Sequence, residues 1–537
     1  MGGGTSSYRE VEETDCVLLW GSNARETHPI FFHHLLEGMK RGARLYAIDP
    51  RRTSSAQWAD VWAGLDVGTD IALAHSMARE IIVAGLARRD FIEHATSGFD
   101  AYKASVLPWT LERGETATGV PAPVIREMAH AFATAPRAMI CWTLGITEHH
   151  NAVDNVLSLI NLALLTGHVG RWGSGINPLR GQNNVQGGGD MGALPDRLPG
   201  FQHVENDAVR ARFEHAWGVA VPPRRGWHLT AMFEAMARGD LRALYVIGEN
   251  PAQSEADQHQ AVAHLRSLDI LVVQDVMRTA TAELADVVLP AAAGAFESDG
   301  TVTSSERRVQ RVRRTKAPLG DSRDDVSIIV EMAQRMGASW PATSAEGLWN
   351  EVRALSPVHG GMSYARLETE GGLQWPCYDA THPGEAFLHG RLWERPVGGP
   401  RAPFSVVEHA LPVEAVDDDY PFRLTTGRRL EEYNTGVQTG PYASPTRRGE
   451  TIDVSPEDAG RLGLTEGQRV RVRSRRGSVV APVHIDRGLR PGLTFMTFHF
   501  PEQVATNHLT IDANDPKSGT AEFKAAAVQI EPVEAGA

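Results

Sequence analysis

One stretch concentrates groups able to hold a small anion. In "NPLRGQNNVQGGGDMGALP", residues 177–195, Arg180 stands beside Gln182, Asn183, Asn184 and Gln186, ahead of consecutive glycines at 187–189. A guanidinium presents a planar fork of donors that matches a carboxylate and keeps its charge at any physiological pH. Amide side chains add donors, and glycines let backbone approach closely. Two readings are open on these residues alone: a hydrogen-bonded surface loop, or a cleft wall that grips a carboxylate. Within it, "GGGDMG" (187–192) spells Gly-x-Gly-x-x-Gly, but it follows an Asn/Gln run rather than a strand, which rules it out as a dinucleotide fingerprint.

Other chemistry finds little support. No Gly-x-Ser-x-Gly, His-Glu-x-x-His or Walker sequence occurs, so hydrolase and NTPase readings have no motif. His149 and His150 are adjacent and have no third ligand at a suitable spacing, so a structural role is expected of them. Cys16, Cys141 and Cys377 are far apart, and without a Cys-x-x-Cys this chain alone cannot build a cysteine zinc site or a cysteine-held iron–sulfur cluster. Cys16 and Cys141 lie in apolar runs and read as inert core thiols.

Those side chains need a scaffold. Apolar runs ending in glycine or an acid recur: "CVLLWGSN" (16–23), "RLYAIDP" (44–50), "AMICWTLG" (138–145), "ALYVIGENP" (243–251) and "LDILVVQD" (268–275). Each reads as a buried parallel strand followed by a polar turn. Helical stretches lie between them at 69–86 and at 152–167, the second stopped by Gly167. Alternating strands and helices predict doubly wound α/β layers. Two of these units resemble each other. In both, a strand ends in Gly-x-Asn (Gly21–Asn23, Gly248–Asn250), and the next strand ends in Asp (Asp49, Asp275). An Arg-Thr element and Ala-Asp-Val then follow in each copy. Ligands of open α/β sheets sit beyond the carboxyl ends of strands, where glycine admits a phosphate and an acid accepts hydrogen bonds from ribose or base. A pseudo-repeat with two nucleotide-like sites is therefore expected, or one extended ligand with two nucleotide ends.

From about residue 415 the texture changes. A Pro- and acid-rich linker leads into "FRLTTG", "ETIDVSP", "QRVRVRSRRGSVVAPVHI" and "GLTFMTFHF", which alternate with period two and predict a compact β-barrel. The arginines of "RVRVRSRRG" alternate with valine, as on the exposed face of a strand. The expected architecture is α/β: two doubly wound, pseudo-repeated α/β domains (1–182 and 183–411) plus a C-terminal β-barrel (412–537). With 42% apolar and 22% charged residues the composition is that of a globular protein with large cores. A net charge of −13 argues against a nucleic-acid partner. No apolar window is long enough for a membrane span, and the first residues carry no basic and apolar leader. A cytoplasmic protein is the default expectation. The start runs quickly into a buried-looking strand, like a chain entered in mid-domain.

With these segments set out, the sequence resembles a known family. "GINPLRGQNNVQGGGDMGALPDRLPG" is similar to the signature loop of molybdenum- or tungsten-dependent formate dehydrogenase catalytic subunits, among the bis-pterin molybdopterin oxidoreductases. The resemblance extends through "TDCVLLWGSNARETHP", "IDPRRTSSAQWAD", "NLALLTGHVGRWGSGINP", "IGENPAQSEAD", "VQDVMRTATAELADVVLPAA", "EGLWNEVRALSP", "LTTGRRLEEYNTG" and "TIDANDPKSGTAEFKAAAVQIEP". It implies two molybdopterin guanine dinucleotides with Mo or W, and oxidation of formate to CO2. By that resemblance Gly21, Asn23, Glu26, Asp49, Arg51 and Asp70 hold one dinucleotide, with Leu144, Gly145 and Glu148 near its pterin. Gly248, Asn250, Ser254 and Asp275 hold the other. Gly427, Arg428, Arg429, Glu432, Asn507, Phe523 and Lys524 close over both. Arg180 orients the substrate as the catalytic side chain, Gln182 lies against the pterin, and the 177–195 segment becomes a cleft wall.

The sequence also departs from the family pattern. Relatives carry an upstream four-cysteine segment for a [4Fe–4S] cluster and a Cys or selenocysteine that ligates the metal, and both would precede Met1. The resemblance thus implies a fragment, an N-terminal iron–sulfur polypeptide as partner, or inactivity of this chain alone. Iron–sulfur or flavin electron-transfer subunits are further implied partners. Where many relatives have Gly-Ala-Cys-Asp-Met-Gly, this chain has Gly-Gly-Gly-Asp-Met-Gly. Alternatives on the same residues are a pterin oxidoreductase acting on another oxyanion such as nitrate, and a non-catalytic pterin-binding subunit.

Overall fold

The computed structural model describes residues 2–430, 434 and 449–533. The chain divides into two compact units: Met1–Gly4 with Arg180–Ala252 and Gln260–Ala386, and Thr5–Leu179 with Gln253–His259 and Phe387–Ala537. In the second of these, β1 (Cys16–Trp20), β2 (Arg44–Ile48), β3 (Val61–Ala63), β4 (Ala138–Trp142) and β5 (Gly175–Pro178) form a parallel sheet in the order β3-β2-β1-β4-β5. Every residue of β1 and β4 is buried, as expected of unbroken apolar runs covered on both faces. Helices α1 (Pro29–Lys40), α2 (Asp70–Val83), α3 (Ala122–Thr134) and α4 (Ala152–Thr166) belong to the same unit. α4 stops at Gly167, whose φ of +69° is the left-handed C-cap that a glycine permits. Leu73, Ile81, Met128, Phe132, Ile140 and Leu162 are among the residues of its main core.

In the first unit, the short helix α5 (Val185–Asp190) is followed by a smaller parallel sheet, β8-β7-β6, made of β6 (Ala243–Ile247), β7 (Ile270–Asp275) and β8 (Val287–Pro290). β9 (Gly300–Thr303) and β10 (Arg308–Val312) form an antiparallel ribbon, extended by Leu373–Gln374, that the sequence patterns did not reveal. The strands of the C-terminal barrel belong to the second unit. β11 (Phe422–Gly427), β12 (Ile452–Val454), β13 (Arg469–Arg473), β14 (Ser478–Ile485), β15 (Leu493–Thr497) and β16 (Ala526–Pro532) close a barrel in the order β11-β15-β12-β14-β13-β16. In β13, Val470 and Val472 face the barrel core while Arg469, Arg471 and Arg473 are exposed, the alternation expected of "RVRVR".

The pseudo-repeat is present hydrogen bond for hydrogen bond. Gly21 N–H donates to Ile48 O at 2.7 Å, and Gly248 N–H to Gln274 O at 2.8 Å. Asn23 Oδ1 accepts from Ser55 N (3.2 Å) and Ser55 Oγ (2.9 Å), while Asn250 Oδ1 accepts from Thr281 N (3.1 Å) and Thr281 Oγ1 (2.8 Å). Those hydroxyls accept in turn from Arg25 N (2.9 Å) and Ala252 N (3.0 Å). Asp49 Oδ1 takes the N–H of Arg51 (2.9 Å) and Asp275 Oδ1 that of Met277 (3.0 Å). Asp60 holds Leu45 N at 2.8 Å, and Asp286 holds Leu271 N at 2.7 Å.

Because the two turns use the same bonds, Asn23→Ala and Asn250→Ala should cost alike, about 2 kcal/mol each, since each strands a donor N–H and a hydroxyl. Amide hydrogen exchange checks this: each substitution should speed exchange at its own turn, at Ser55 or at Thr281. A neutral result at one of the two would break the equivalence.

Candidate functional site

The site residues of the second unit gather where the chain leaves β1 and β4, neighbouring strands whose crossovers run in opposite directions. Such a switch point leaves a crevice at the carboxyl edge of a sheet. Gly21 carries a φ of +55°. Its carbonyl accepts from Gly145 N (3.2 Å) and Thr143 Oγ1 (2.7 Å). A Cβ on Gly21 would fall 2.8 Å from the Gly145 carbonyl carbon, so only glycine permits this approach. Leu144 opens the turn and its carbonyl takes Glu148 N at 3.0 Å. Ser54 bridges Asn23 (3.0 Å) and Glu26 (2.6 Å). Asp70, in the first turn of α2, is buried and accepts from Trp20 Nε1 at 2.8 Å.

The barrel contributes Glu522–Lys524 to this edge. Lys524 Nζ pairs with Glu148 at 2.7 Å and donates to Thr426 O at 3.0 Å. Phe523 N donates to Glu148 O at 3.2 Å, and Phe523 O accepts from Thr426 Oγ1 at 2.7 Å. Glu522, wholly buried, lies 3.3 Å from His149 Nδ1 and accepts from His150 N at 2.9 Å. His149 Nε2 bonds to Gly145 O at 3.1 Å. A carbonyl on Nε2 and a carboxylate at ion-pair distance from Nδ1 favour the protonated imidazolium. Burial opposes that charge, but Glu522 and, behind it, Asp70 raise the pKa of His149 above its ordinary value. Glu522 would likewise be raised by burial, and His149 and His150 hold it well below the carboxylate range instead. Burial lowers the Lys524 pKa against the pull of Glu148, and raises that of Asp49 against the pull of Arg51.

Further residues of the edge are Arg51, stacked 3.5 Å from the Phe495 ring centroid, and Gly427, where a Cβ would meet that ring at 2.9 Å. Arg428 bonds to the Asn434 side chain. Arg429 is committed inward: its guanidinium lies 2.8 Å from both carboxylate oxygens of Asp453 and 2.7 Å from Thr451 Oγ1. Asn507 Nδ2 donates to the carbonyls of Gln253 (3.0 Å) and Ser254 (3.1 Å). Glu432 lies outside the described residues. His149 takes the structural role expected of adjacent histidines, and burial pushes the thiols of Cys16 and Cys141 up to about 12.

In the first unit, Gly248 has a φ of +64° with open space where a Cβ would stand, close to Asn250 and to Asp275 at the end of β7. Arg180 is half-buried. Its Nη2 donates to Gly2 O (2.7 Å), its backbone N to Ser305 Oγ (3.1 Å), and its Nε is buried with no hydrogen-bond partner among the described residues. Burial draws its pKa down and Asp190 opposes this. The amides expected to assist Arg180 divide. Asn183 is exposed and Gln182 half-buried. Asn184 Oδ1 is taken by Thr303 N (2.9 Å), and Gln186 Nε2 by Asp190 (2.8 Å). The glycines expected to let backbone approach closely lie in α5. There, a Cβ on Gly187 would meet Thr303 N at 3.2 Å, so this glycine allows close packing on β9. Sequence reasoning missed Ser54, Ser55 and Thr281, whose signal was the twice-repeated Arg-Thr element. It also missed Phe495, Glu522 and the Trp375–Asp190 bond, which join residues distant in the chain.

A nucleotide-bearing ligand asks for cations near phosphate, acceptors for ribose and base, and backbone free of side chains. In the second unit Arg51, Arg428, Lys524 and the Asp49 carboxylate are groups of this kind, and in the first unit so are the open face at Gly248 and the Asp275 carboxylate. Ser22 Oγ, next to Gly21, is buried without a partner among the described residues. Such a polar atom is costly unless a ligand or water satisfies it. The residues present therefore fit such a group. Among the described residues no cluster of three or more His, Cys, Asp or Glu side chains forms a metal site, and no helix is long and apolar enough to cross a membrane.

Glu522→Gln should cost about 3 kcal/mol, because His149 is left a buried charge without its counter-ion. Between the two shifted titrations the wild-type pair is fully ionised. Its contribution present above the ordinary carboxylate range is lost as pH falls towards the lowered pKa of Glu522, and the His149 contribution is lost as pH rises through its raised value. Unfolding midpoints of wild type and variant should differ most at neutral pH and converge in acid. A constant difference would contradict the pairing.

Comparison with known proteins agrees with this geometry. Residues 3–335 match the molybdopterin oxidoreductase family, and residues 422–527 the molydopterin dinucleotide binding domain. The chain is 41% identical to the F420-dependent formate dehydrogenase 2 subunit alpha of Methanococcus maripaludis, over 98% of this chain and 78% of that one. It is 34% identical to formate dehydrogenase H of Escherichia coli, over 98% of this chain and 74% of that one. The acetylene hydratase of Pelobacter acetylenicus shares the fold, with a TM-score of 0.74 at 22% identity, covering 99% of this chain and 79% of that one. A repeated glycine–asparagine turn, a barrel docked on the carboxyl edge of a parallel sheet and these matches together establish that the chain belongs to the molybdopterin oxidoreductase family.

Proposed function

We propose that this chain is the catalytic subunit of a formate dehydrogenase and that Arg180 holds the substrate. The observation that carries the reading is the Arg180 side chain: half-buried, its Nη2 held by Gly2 O while Ser305 Oγ anchors its backbone N–H, with a buried Nε still lacking a partner among the described residues. Its relatives named as formate dehydrogenase subunits support the choice of anion.

Two molybdopterin guanine dinucleotides sharing one Mo or W ion would supply the two-electron redox chemistry when bound. Gly21, Asn23, Glu26, Asp49, Arg51 and Asp70 would hold one, with Leu144, Gly145 and Glu148 towards its pterin. Gly248, Asn250, Ser254 and Asp275 would hold the other, and Gly427, Arg428, Arg429, Glu432, Asn507, Phe523 and Lys524 would close over both. The Oδ1 atoms of Asn23 and Asn250 serve their own turns, so these residues act by shaping the backbone. Arg429 acts through Asp453 in the same indirect way.

The reaction releases CO2, one proton and two electrons from each formate. Arg180 binds the carboxylate oxygens and so fixes the direction of the C–H bond. Its site excludes water on the Asp190 side, which strengthens the charge-assisted bond. Gln182 stands beside it. Iron–sulfur or flavin electron-transfer partners, a [4Fe–4S] cluster among them, would take up the electrons.

Arg180→Ala should lower formate turnover about a hundredfold or more in the assembled enzyme, equivalent to roughly 3 kcal/mol of lost transition-state stabilisation. Bound pterin, measured by fluorescence of its oxidised release product, should be unchanged, and Arg180→Lys should recover part of the rate. Turnover near wild type in Arg180→Ala would refute the assignment.

A further inference from the structure

Phe201 carries a φ of +58°, a left-handed conformation that an aromatic residue rarely adopts. The turn around it is locked. The Asp190 carbonyl accepts from Gly200 N (2.7 Å) and Phe201 N (3.2 Å), and Gln202 Nε2 donates to Pro199 O (2.6 Å) and Leu355 O (3.0 Å). Backbone strain of this kind persists where the surroundings over-determine it, and it collects at ligand-binding sites.

What the strained turn delivers is the ring. The Arg197 guanidinium, paired with Asp196, lies over it at 4.6 Å from the ring centroid. Ring carbon Cε2 is 3.7 Å from where a Cβ on Gly189 would stand, so a residue without a side chain lets the ring lie along α5. The ring tip reaches Gly2. A Cβ on Gly2 would stand 3.8 Å from Phe201 Cζ and 3.8 Å from Arg180 Nη2, and Gly2 O accepts from that same Nη2 at 2.7 Å. A single carbon atom at that point would touch both the ring and the guanidinium, since 3.8 Å is ordinary van der Waals contact. Gly2, Arg180, Gly189 and Phe201 all belong to the first unit.

Resting on the formate reading above, we infer that Phe201 sets the size limit of the acid that Arg180 accepts. A carboxylate gripped by Arg180 has the ring tip as its neighbour at Gly2. Formate brings only a hydrogen beyond its carboxylate, whereas acetate and propionate bring carbons that meet the ring. The ring cannot turn aside, because its backbone is fixed at Asp190 and its face lies under Arg197.

The test titrates acetate and propionate as inhibitors competitive with formate in the assembled enzyme. Phe201→Asn removes the ring with a residue that tolerates a positive φ, and Phe201→Tyr keeps the ring. In Phe201→Asn the acetate inhibition constant should fall about tenfold or more, the discrimination that a wall one carbon away supplies. Phe201→Tyr should keep the wild-type constant. A merely structural role would weaken both acids together. Gly2→Ala probes the same space with the ring in place: its methyl should raise the formate KM about threefold or more. Saturation transfer to the acetate methyl protons reads binding without turnover. In Phe201→Asn formate should displace the acetate, and removing Arg180 as well should abolish its binding. An acetate constant that Phe201→Asn leaves unchanged or raises, a formate KM that Gly2→Ala leaves unchanged, or acetate binding that survives loss of Arg180 overturns the inference. If Phe201→Asn binds acetate more tightly and formate displaces it, yet wild type shows no turnover with formate, the size limit stands and the formate dehydrogenase reading fails.

Discussion

In each of the two larger parallel sheets a strand ends in a glycine–x–asparagine turn whose asparagine oxygen captures an N–H and a hydroxyl from the turn after the next strand. The arrangement at the carboxyl edges depends on that one interaction. Gly21 and Gly248 take positive φ values that clear side chains from the strand tips. Asn23 and Asn250 then pin Ser55 and Thr281, which fixes where the second strand ends. Asp49 and Asp275 are delivered to the same edge, each closed onto the N–H two residues on. A glycine of positive φ beside an acid is the outcome, produced twice by the same bonds: the space at Gly248 is open, and that at Gly21 is taken by the backbone of Gly145.

Electrostatics separates the groups that build the site from those poised to act. Several buried charges of the second unit come in pairs: Glu148 with Lys524, His149 with Glu522, Arg429 with Asp453. Pairing offsets a desolvation penalty that would otherwise expel them, and it fixes the 522–524 segment of the barrel on the turn after β4. Arg180 and Asp190 are built differently. Each is held by neutral groups, each is shifted by burial in the direction of its uncharged form, and the guanidinium keeps an unused donor. Satisfied pairs in one unit and an under-satisfied cation in the other suit a protein whose cofactor supplies redox chemistry and whose side chains supply position and field.

Much of the frame was legible in the sequence because it follows from periodicity and punctuation. Unbroken apolar runs marked β1, β2, β4, β6 and β7, Gly167 marked the end of α4, and alternating Val and Arg marked β13. The repeat was visible in Gly-x-Asn, Arg-Thr and Ala-Asp-Val, although the serine and threonine that complete it were not singled out. Tertiary partners were harder to see. Glu522 meets His149 and Trp375 meets Asp190 across hundreds of residues, and no local pattern announces such a bond. The Asn/Gln-rich segment misled in detail: its amides looked free to bind a ligand, yet Asn184 and Gln186 serve the fold, because buried backbone and carboxylate groups had first claim on them. The glycines at 187–189 lie in a short helix that the polar run did not announce, and Gly187 makes the close approach expected of glycine, against β9.

The twofold arrangement of nucleotide sites is tested most directly by the ratio of guanine nucleotide to metal. Mild acid hydrolysis of the purified, assembled enzyme releases guanosine monophosphate, which is counted against Mo or W in the same sample. About two guanosine monophosphates per metal ion are expected if both glycine–asparagine turns hold a dinucleotide. One per metal ion would mean that only one of the two turns is used, and would contradict the paired site.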